Sequence, residues 1–282
     1  MDVLIREARD EDKEPVLEFT KDTWEWGDYI KDVWDKWLHD KNGKLLVAEM
    51  DKKPVGILHI SFLPDNSAWL EGLRVHKEYR RRGIAKRLNQ KAFEIIRKKE
   101  INAIRLVIVS WNKPSINLAI KSGFNVACRY ISFWLRYNFL PDITLDNITI
   151  QVINDKLEIW KRIMKYLREK CNLIAYRWEW VKAEPDTIGY ALQNDIWTCS
   201  LVNGKAIIYK VEENRGISIK FIENIELKTL LSFFNYVRKQ YNLKENFHIN
   251  VVLPETHPFA KEFYMLPNYE KETFLIFELK VQ

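Results

Sequence analysis

The same order of elements runs through this chain twice. In the first pass "VLIREA" reads as a short strand, and "EDKEPVLEFTKDTW" as a helix with Val16, Leu17 and Phe19 at helical spacing. A second helix is predicted in "TWEWGDYIKDVWDKWLHD", where Ile30, Val33, Trp34 and Trp37 recur at helical steps. "KLLVAEM" and "PVGILHISFL" form a hairpin around the polar turn at 51–53. Strand "SAWLEGLRV", helix "IAKRLNQKAFEIIRKKE" and the nearly all-apolar strand "AIRLVIV" follow. A short helix between Pro114 and Gly123 and the strand "RYISFWLRY" close the pass.

Past "NFLPDITLDN" the order recurs. Strand "ITIQVI", helix "KLEIWKRIMKYLREK" and a hairpin turning at Asn203–Gly204 lead to strand "GISIKFI". Helix "LKTLLSFFNYVRKQY", strand "FHINVVL", short helix "HPFAKEFYM" and strand "ETFLIFELK" complete it. Matching order implies an internal duplication. The local echoes "TWEWGD" and "YRWEWV", or "NKPSINLAI" and "THPFAKEFY", agree with it. The expectation is therefore a mixed-sheet α/β (α+β) protein of two domains, 1–140 and 141–282, which suits a chain of 282 residues.

Apolar residues at 47% and only nine Gly and nine Pro fit a packed globular chain. A net charge of +6 favours an anionic ligand but falls short of a dedicated nucleic-acid binder, so no nucleic-acid partner is expected. Cys128, Cys171 and Cys199 lie far apart without a CxxC, which predicts reduced thiols in a cytosol and no zinc site. The five histidines are scattered and suggest no metal. No run approaches the ~20 apolar residues of a membrane helix, and Met1 leads straight into "DVLIREARDED". A cytoplasmic protein without membrane contact is expected.

The stretch "VHKEYRRRGIAKRL" (75–88) joins a strand to a helix through consecutive arginines and a glycine. A charge run of this kind is ordinarily a solvated surface, and on charge alone it would also suit a basic RNA- or DNA-binding module. Its layout, however, is that of an anion cradle. Backbone N–H groups at a helix start lack intrahelical partners and carry partial positive charge, so a phosphate satisfies both. Gly83 lets the backbone approach such a ligand, Ala85 keeps the next turn open, and Arg80, Arg81, Arg82, Lys86 and Arg87 add countercharge.

Arg80-x-x-Gly83-x-Ala85 after a strand ending "Leu-Arg-Val" resembles the Arg/Gln-x-x-Gly-x-Gly/Ala signature of the GCN5-related N-acetyltransferase (GNAT) family. The preceding hairpin, the "EGLRV" strand, the buried strand near 104–109 and "WNKPSINLAIKSGF" extend the resemblance over roughly residues 3 to 138. It implies a GNAT fold, here a tandem of two GNAT-like domains. It also implies acetyl-coenzyme A as cosubstrate, no metal, and direct acetyl transfer to a primary amine of a small molecule or peptide. A homodimer is left open.

Carried over residue by residue, the resemblance assigns the backbone of Leu73, Arg74 and Val75 to the pantetheine arm. Arg80, Arg81, Arg82, Gly83, Ile84, Ala85 and Lys86 form the pyrophosphate loop, and Asn112 contacts the cofactor. The Val75 amide would help hold the oxyanion, and Glu71 stands where many members carry the general base. The sequence departs from the pattern at Ala119, where the family usually has the tyrosine that protonates departing coenzyme A. Tyr29, Tyr79 and Tyr130 are unranked substitutes. The departure keeps a non-catalytic acyl-coenzyme A sensor as the alternative.

In the family the segment between the first two helices walls the acceptor pocket. Here Trp24, Glu25, Trp26, Asp28 and Tyr29 combine aromatic faces with carboxylates and suit an amine or other cation, whereas Trp34 and Trp37 read as core. The second half has "ENIE" in place of the loop and Pro267–Asn268 in place of Gly-Phe. It is expected to be a degenerate copy that cannot hold coenzyme A and instead buttresses the first half or shapes the acceptor site, with an unrelated α+β domain as the alternative.

Overall fold

The structure is a computed structural model describing residues 3–25, 27–141, 147–167, 171–212 and 216–281. The chain begins with β1 (Leu4–Glu7), α1 (Lys13–Thr20), α2 (Ile30–Leu38), β2 (Gly43–Met50), β3 (Lys53–Phe62) and β4 (Ser67–Val75). It continues through α3 (Ile84–Ile96), β5 (Ala103–Val109), α4 (Lys113–Lys121) and β6 (Asn125–Arg136). Then come β7 (Ile150–Val152), α5 (Lys156–Met164), β8 (Leu173–Ala175), β9 (Trp180–Lys182) and α6 (Pro185–Gln193). Strands β10 (Thr198–Val202), β11 (Lys205–Glu212) and β12 (Gly216–Ile222) precede α7 (Leu227–Gln240). The last elements are β13 (His248–Pro254), α8 (Ala260–Phe263) and β14 (Glu270–Lys280).

Two compact units emerge, each drawn from separated stretches. The first comprises Met1–Leu106, Pro114–Asn125 and Phe277–Gln282; the second comprises Val107–Lys113 and Val126–Ile276. In the first unit the strands run β1-β2-β3-β4-β5, with the end of β14 beside β5. In the second they run β14-β6-β13-β12-β11-β10-β7. Both sheets are mixed: β4 pairs β5 in parallel and β12 pairs β13 in parallel, while the flanking hairpins are antiparallel. The α/β expectation holds.

Packing follows the sequence periodicities. Helix α3 buries Ile84, Leu88, Ala92 and Ile96, the face predicted for it. In the first unit Trp34 and Trp37 join Val16, Ile30, Leu45, Val47 and Ile57 in one core. In the second, α7 presses Leu230, Leu231, Phe233, Phe234 and Val237 onto Ile217, Ile219, Ile249 and Val251.

Three features differ from the sequence reading. The second helix begins only at Ile30, because Gly27 at φ +98° takes a conformation no helix continues. Elements β8, β9 and α6 were not anticipated, although Pro185 at the first turn of α6 is a helix-start signal. The thiols are not all reduced. Cys128 and Cys171 form a disulfide across 43 residues with their Cα atoms 5.5 Å apart, and only Cys199 is free, buried on β10. Their distance in sequence concealed a spatial proximity that β6 and the start of β8 create. Among the described residues no helix is long and apolar enough to cross a membrane.

Candidate functional site

The site is organised by an irregularity in β4. Opposite β3, His59 pairs with Glu71 and Ile57 with Arg74, so Leu58 faces two residues, Gly72 and Leu73. This is a bulge. Gly72 adopts φ +67°, and a Cβ there would lie 2.5 Å from the Trp37 ring. Because His59 and Ile57 are two apart they share a face, and so do their partners Glu71 and Arg74. In a regular strand residues three apart would point oppositely.

The parallel pairing of β4 with β5 covers only Ser67–Trp69 against Ala103–Arg105. Beyond Trp69 the two strands part, leaving residues 70–75 with an open backbone edge. The His76 N–H donates to Val55 O on β3 at 2.9 Å. Alternation along the strand therefore turns the Val75 N–H toward the open edge.

That edge runs into the cradle. After a single 3-10 turn (Lys77–Tyr79), Arg80 Nε donates to Val75 O at 3.2 Å, folding the loop back on the strand end. Arg81 (φ +62°) and Gly83 (φ +76°) are left-handed, and Gly83 is the N-cap of α3. Alternating left- and right-handed residues turn successive N–H groups into a concavity that suits an anion. A Cβ at Gly83 would meet nothing within 4 Å, so the space above it is open. Arg80, Arg81, Arg82 and Lys86 are exposed, Ile84 is buried and anchors the helix, and Ala85 is half-buried. The Arg82 guanidinium lies over the Tyr79 ring at 5.1 Å.

Glu71 is not an isolated carboxylate. Its Oε1 is 3.0 Å from His59 Nδ1 and 3.4 Å from Ser61 Oγ, and His59 Nε2 lies 3.5 Å from Asp40 Oδ2. The His59 ring is buried, stacked on Trp37 with centroids 4.6 Å apart. Sequence reading missed His59, dismissed among scattered histidines. Its place opposite Glu71 depends on a register that the bulge sets.

The predicted acceptor wall lies beside these groups. Buried Asp28 accepts from Arg74 Nε at 2.7 Å and Nη2 at 3.2 Å, and Arg74 Nη1 donates to Leu73 O at 3.1 Å. The Arg74 guanidinium stands 6.0 Å from the Trp24 ring centroid and 5.4 Å from that of Tyr29. Burial raises the Tyr29 hydroxyl to about 12; Arg74 opposes this rise, and the carboxylates of Glu71 and Asp28 add to it. For Arg74, burial works against the charge, but its hydrogen bonds to Asp28 prevail and its pKa is raised. Glu25 is exposed, and Trp26 lies outside the described residues.

Of the remaining expectations, Asn112 sits just ahead of α4, its N–H donating to Val109 O at 3.0 Å, within the 107–113 stretch of the second unit. Ala119 is buried on α4. Tyr130, one of three tyrosines considered as an acid, is fully buried in the second unit, where its hydroxyl donates to Leu173 O and burial raises its pKa. It is spent there. In the second unit residues 223–226 stand where the loop would be, and buried Glu223 accepts from Ala206 N–H and Arg162. Among the described residues no three His, Cys, Asp or Glu side chains are grouped to hold a metal.

Residues 5–124 match the model of the acetyltransferase (GNAT) family. The spermidine N(1)-acetyltransferase of Thermoplasma acidophilum is 27% identical over 146 residues, covering 45% of this chain and 90% of that protein. The GCN5-related N-acetyltransferase of Sphaerobacter thermophilus, at 11% identity, superposes with a TM-score of 0.66 over 99% of this chain and 95% of its own. A tandem GNAT protein from the clavulanic acid biosynthesis pathway, at 13% identity, gives 0.60 over 99% and 98%. Both whole-chain likenesses concern the fold, and both extend through the two halves.

Proposed function

Since the chain belongs, through residues 5–124, to the GNAT family of acetyltransferases, we propose that it transfers the acetyl group of acetyl-coenzyme A directly to a primary amine, with Glu71 as general base. One observation carries the reading. The bulged strand opens its edge at 70–75, runs into a left-handed glycine cradle, and sets a carboxylate on its flank. The exposed edge at Leu73–Val75 suits an extended amide-bearing arm as an added strand, and the N–H groups of residues 81–86 suit its pyrophosphate. That the Thermoplasma relative acts on spermidine supports an amine acceptor.

Glu71 takes a proton from the incoming ammonium, and the freed nitrogen attacks the thioester carbon. The Val75 N–H receives the developing oxyanion. Collapse of the tetrahedral adduct breaks the carbon–sulfur bond, and the extra proton of the attacking nitrogen passes through solvent to the departing thiolate, giving the acetamide and coenzyme A while Glu71 returns its own proton to water. A thiolate whose parent pKa is ~8.5 departs without an acid at Ala119. The second half, lacking a loop, is a degenerate copy that does not hold the cofactor itself.

Calorimetric titration with acetyl-coenzyme A tests the cradle, and no heat at millimolar ligand would refute it. Release of coenzyme A across a panel of amines then tests the chemistry. Glu71→Gln should lower kcat about 10²-fold or more while leaving cofactor affinity intact, the usual span for a lost general base. The buried alanine at 119 favours a second reading, a non-catalytic acyl-coenzyme A sensor. It predicts binding without turnover of any amine.

A further inference from the structure

The aromatic and acidic wall that the sequence offers to a substrate cation already holds one. We infer that Arg74 is an internal occupant of that cage and that the acceptor is an amine flanked by a carbonyl or carboxylate oxygen, as in an amino acid or peptide N-terminus, rather than a polyamine. The inference rests on the acetyltransferase reading and narrows its acceptor.

The geometry excludes a second cation at this place. Asp28, its side chain 1% exposed, spends both oxygens on Arg74, and Oδ1 also accepts from Ile30 N–H. The Trp24 and Tyr29 rings face the same guanidinium. A distal ammonium entering here would meet the like charge of Arg74 in a half-buried setting, where Asp28 is already committed to that charge and Glu25 of the same wall is turned to solvent. Glu71, the other carboxylate on this face, is engaged by His59 and Ser61 and is needed at the reacting nitrogen.

What the site does offer is a donor. Of the five N–H groups of a guanidinium, two go to Asp28 and one to Leu73 O. A fourth faces the Tyr29 hydroxyl, and the fifth suits an oxygen carried next to the amine. Arg74 and Glu71 share one face of β4 only because of the bulge, so amine and oxygen are read from adjacent positions. An α-amine also loses its proton more readily than an alkyl amine, with reference pKa values of ~8 against ~10.4.

The test measures coenzyme A release by the full chain with acetyl-coenzyme A and four acceptors: glycinamide, an alanyl dipeptide, butylamine and spermidine. The expected kcat/KM for glycinamide and the dipeptide exceeds that for butylamine and spermidine by about tenfold or more, the scale of one charge-assisted hydrogen bond. In Arg74→Gln the cage and the Asp28 carboxylate are vacated, so the spermidine-to-dipeptide ratio of kcat/KM rises about tenfold or more by the same measure. In Arg74→Gln with Asp28→Asn, where no carboxylate is freed, spermidine gains nothing. Because the first variant gains an activity, poor folding cannot mimic the result. Wild-type preference for spermidine, or an unchanged ratio in Arg74→Gln, would overturn the inference and leave the transferase reading standing. Release with none of the four would overturn both.

Discussion

At the residue scale the cradle separates what a backbone does from what side chains do. Gly83 has open space above it and a left-handed φ, so Gly83→Val would push a branched side chain into the anion's approach. The strain of a side chain in that conformation, about 1–2 kcal/mol, leaves the chain folded. Arg81 is exposed, and Arg81→Ala should weaken acetyl-coenzyme A about tenfold at most. Titration calorimetry on both variants checks the order of severity; a more damaging Arg81→Ala would make the loop a side-chain clamp. Gly72→Ala acts differently, driving a Cβ into the Trp37 ring that also carries His59. Tm and kcat should fall together, by roughly 1–3 kcal/mol in stability for the overpacking, and Trp37→Phe in the same chain should restore part of both. The cradle was legible because its signal is local: arginine, glycine and alanine at fixed offsets before a helix. The Glu71–His59–Asp40 chain and the Arg74–Asp28 pair were not. Each joins residues from different elements, and the pairing appears only once the bulge fixes which side chains share a face.

At the element scale each unit bulges its strand just past the end of the parallel pairing, and what each bulge carries differs. In β12 the register passes from Tyr209↔Ile219 to Ile208↔Phe221, leaving Lys220 unpaired. Its Nζ donates to Arg177 O at 2.7 Å, and burial lowers its pKa to about 8, with Glu212 and Glu179 opposing. A lysine whose folded pKa lies below its unfolded value of 10.5 costs stability while both states are protonated. That cost is present in full below pH 8 and lifts as pH rises from about 8 to 10.5. Lys220→Met should therefore raise Tm at pH 7, and its advantage should shrink toward pH 10 in parallel thermal scans. The Cys128–Cys171 bridge acts in the opposite sense. Closing a loop of 43 residues stabilises by about 4 kcal/mol at most in the chain-entropy account, so reductant should lower the Tm of wild type and leave Cys128→Ser unchanged. Strands and long helices with clean periodicity were readable in advance. The strands β8 and β9, three residues each and paired with one another in a separate two-stranded sheet, were not, although three-residue β7 was.

At the scale of the whole molecule, the duplicated element order suggested a cut at 140/141, and the compact units suggest why such a cut should fail. The first unit takes 277–282 from the far end of the chain, and the second takes 126–136 from the middle. Buried Arg105 shows what the exchange holds. It donates to Asp65 Oδ2 at 2.7 Å and Ser67 Oγ at 2.9 Å, and its Nε reaches Glu278 Oε2 at 2.7 Å. Val281 N–H adds a bond to Asn102 O at 3.1 Å, and Phe277 is fully buried. A fragment of 1–140 keeps Arg105 but loses Glu278, and removing one partner of a buried ion pair typically costs about 3–5 kcal/mol. It also keeps Ile131, Phe133 and Leu135, whose buried neighbours Ile249, Val251 and Leu253 are gone. Against a whole-chain stability of about 5–15 kcal/mol, losses of this kind predict a half that is unfolded on its own. Expressed alone, 1–140 should show poor amide dispersion and no heat with acetyl-coenzyme A. Co-expressed with 141–282 it should recover both, since the missing strands return in trans. A fragment of 1–140 that unfolds cooperatively at the Tm of the full chain would show instead that the exchanged strands are dispensable, and that each half is a domain in its own right.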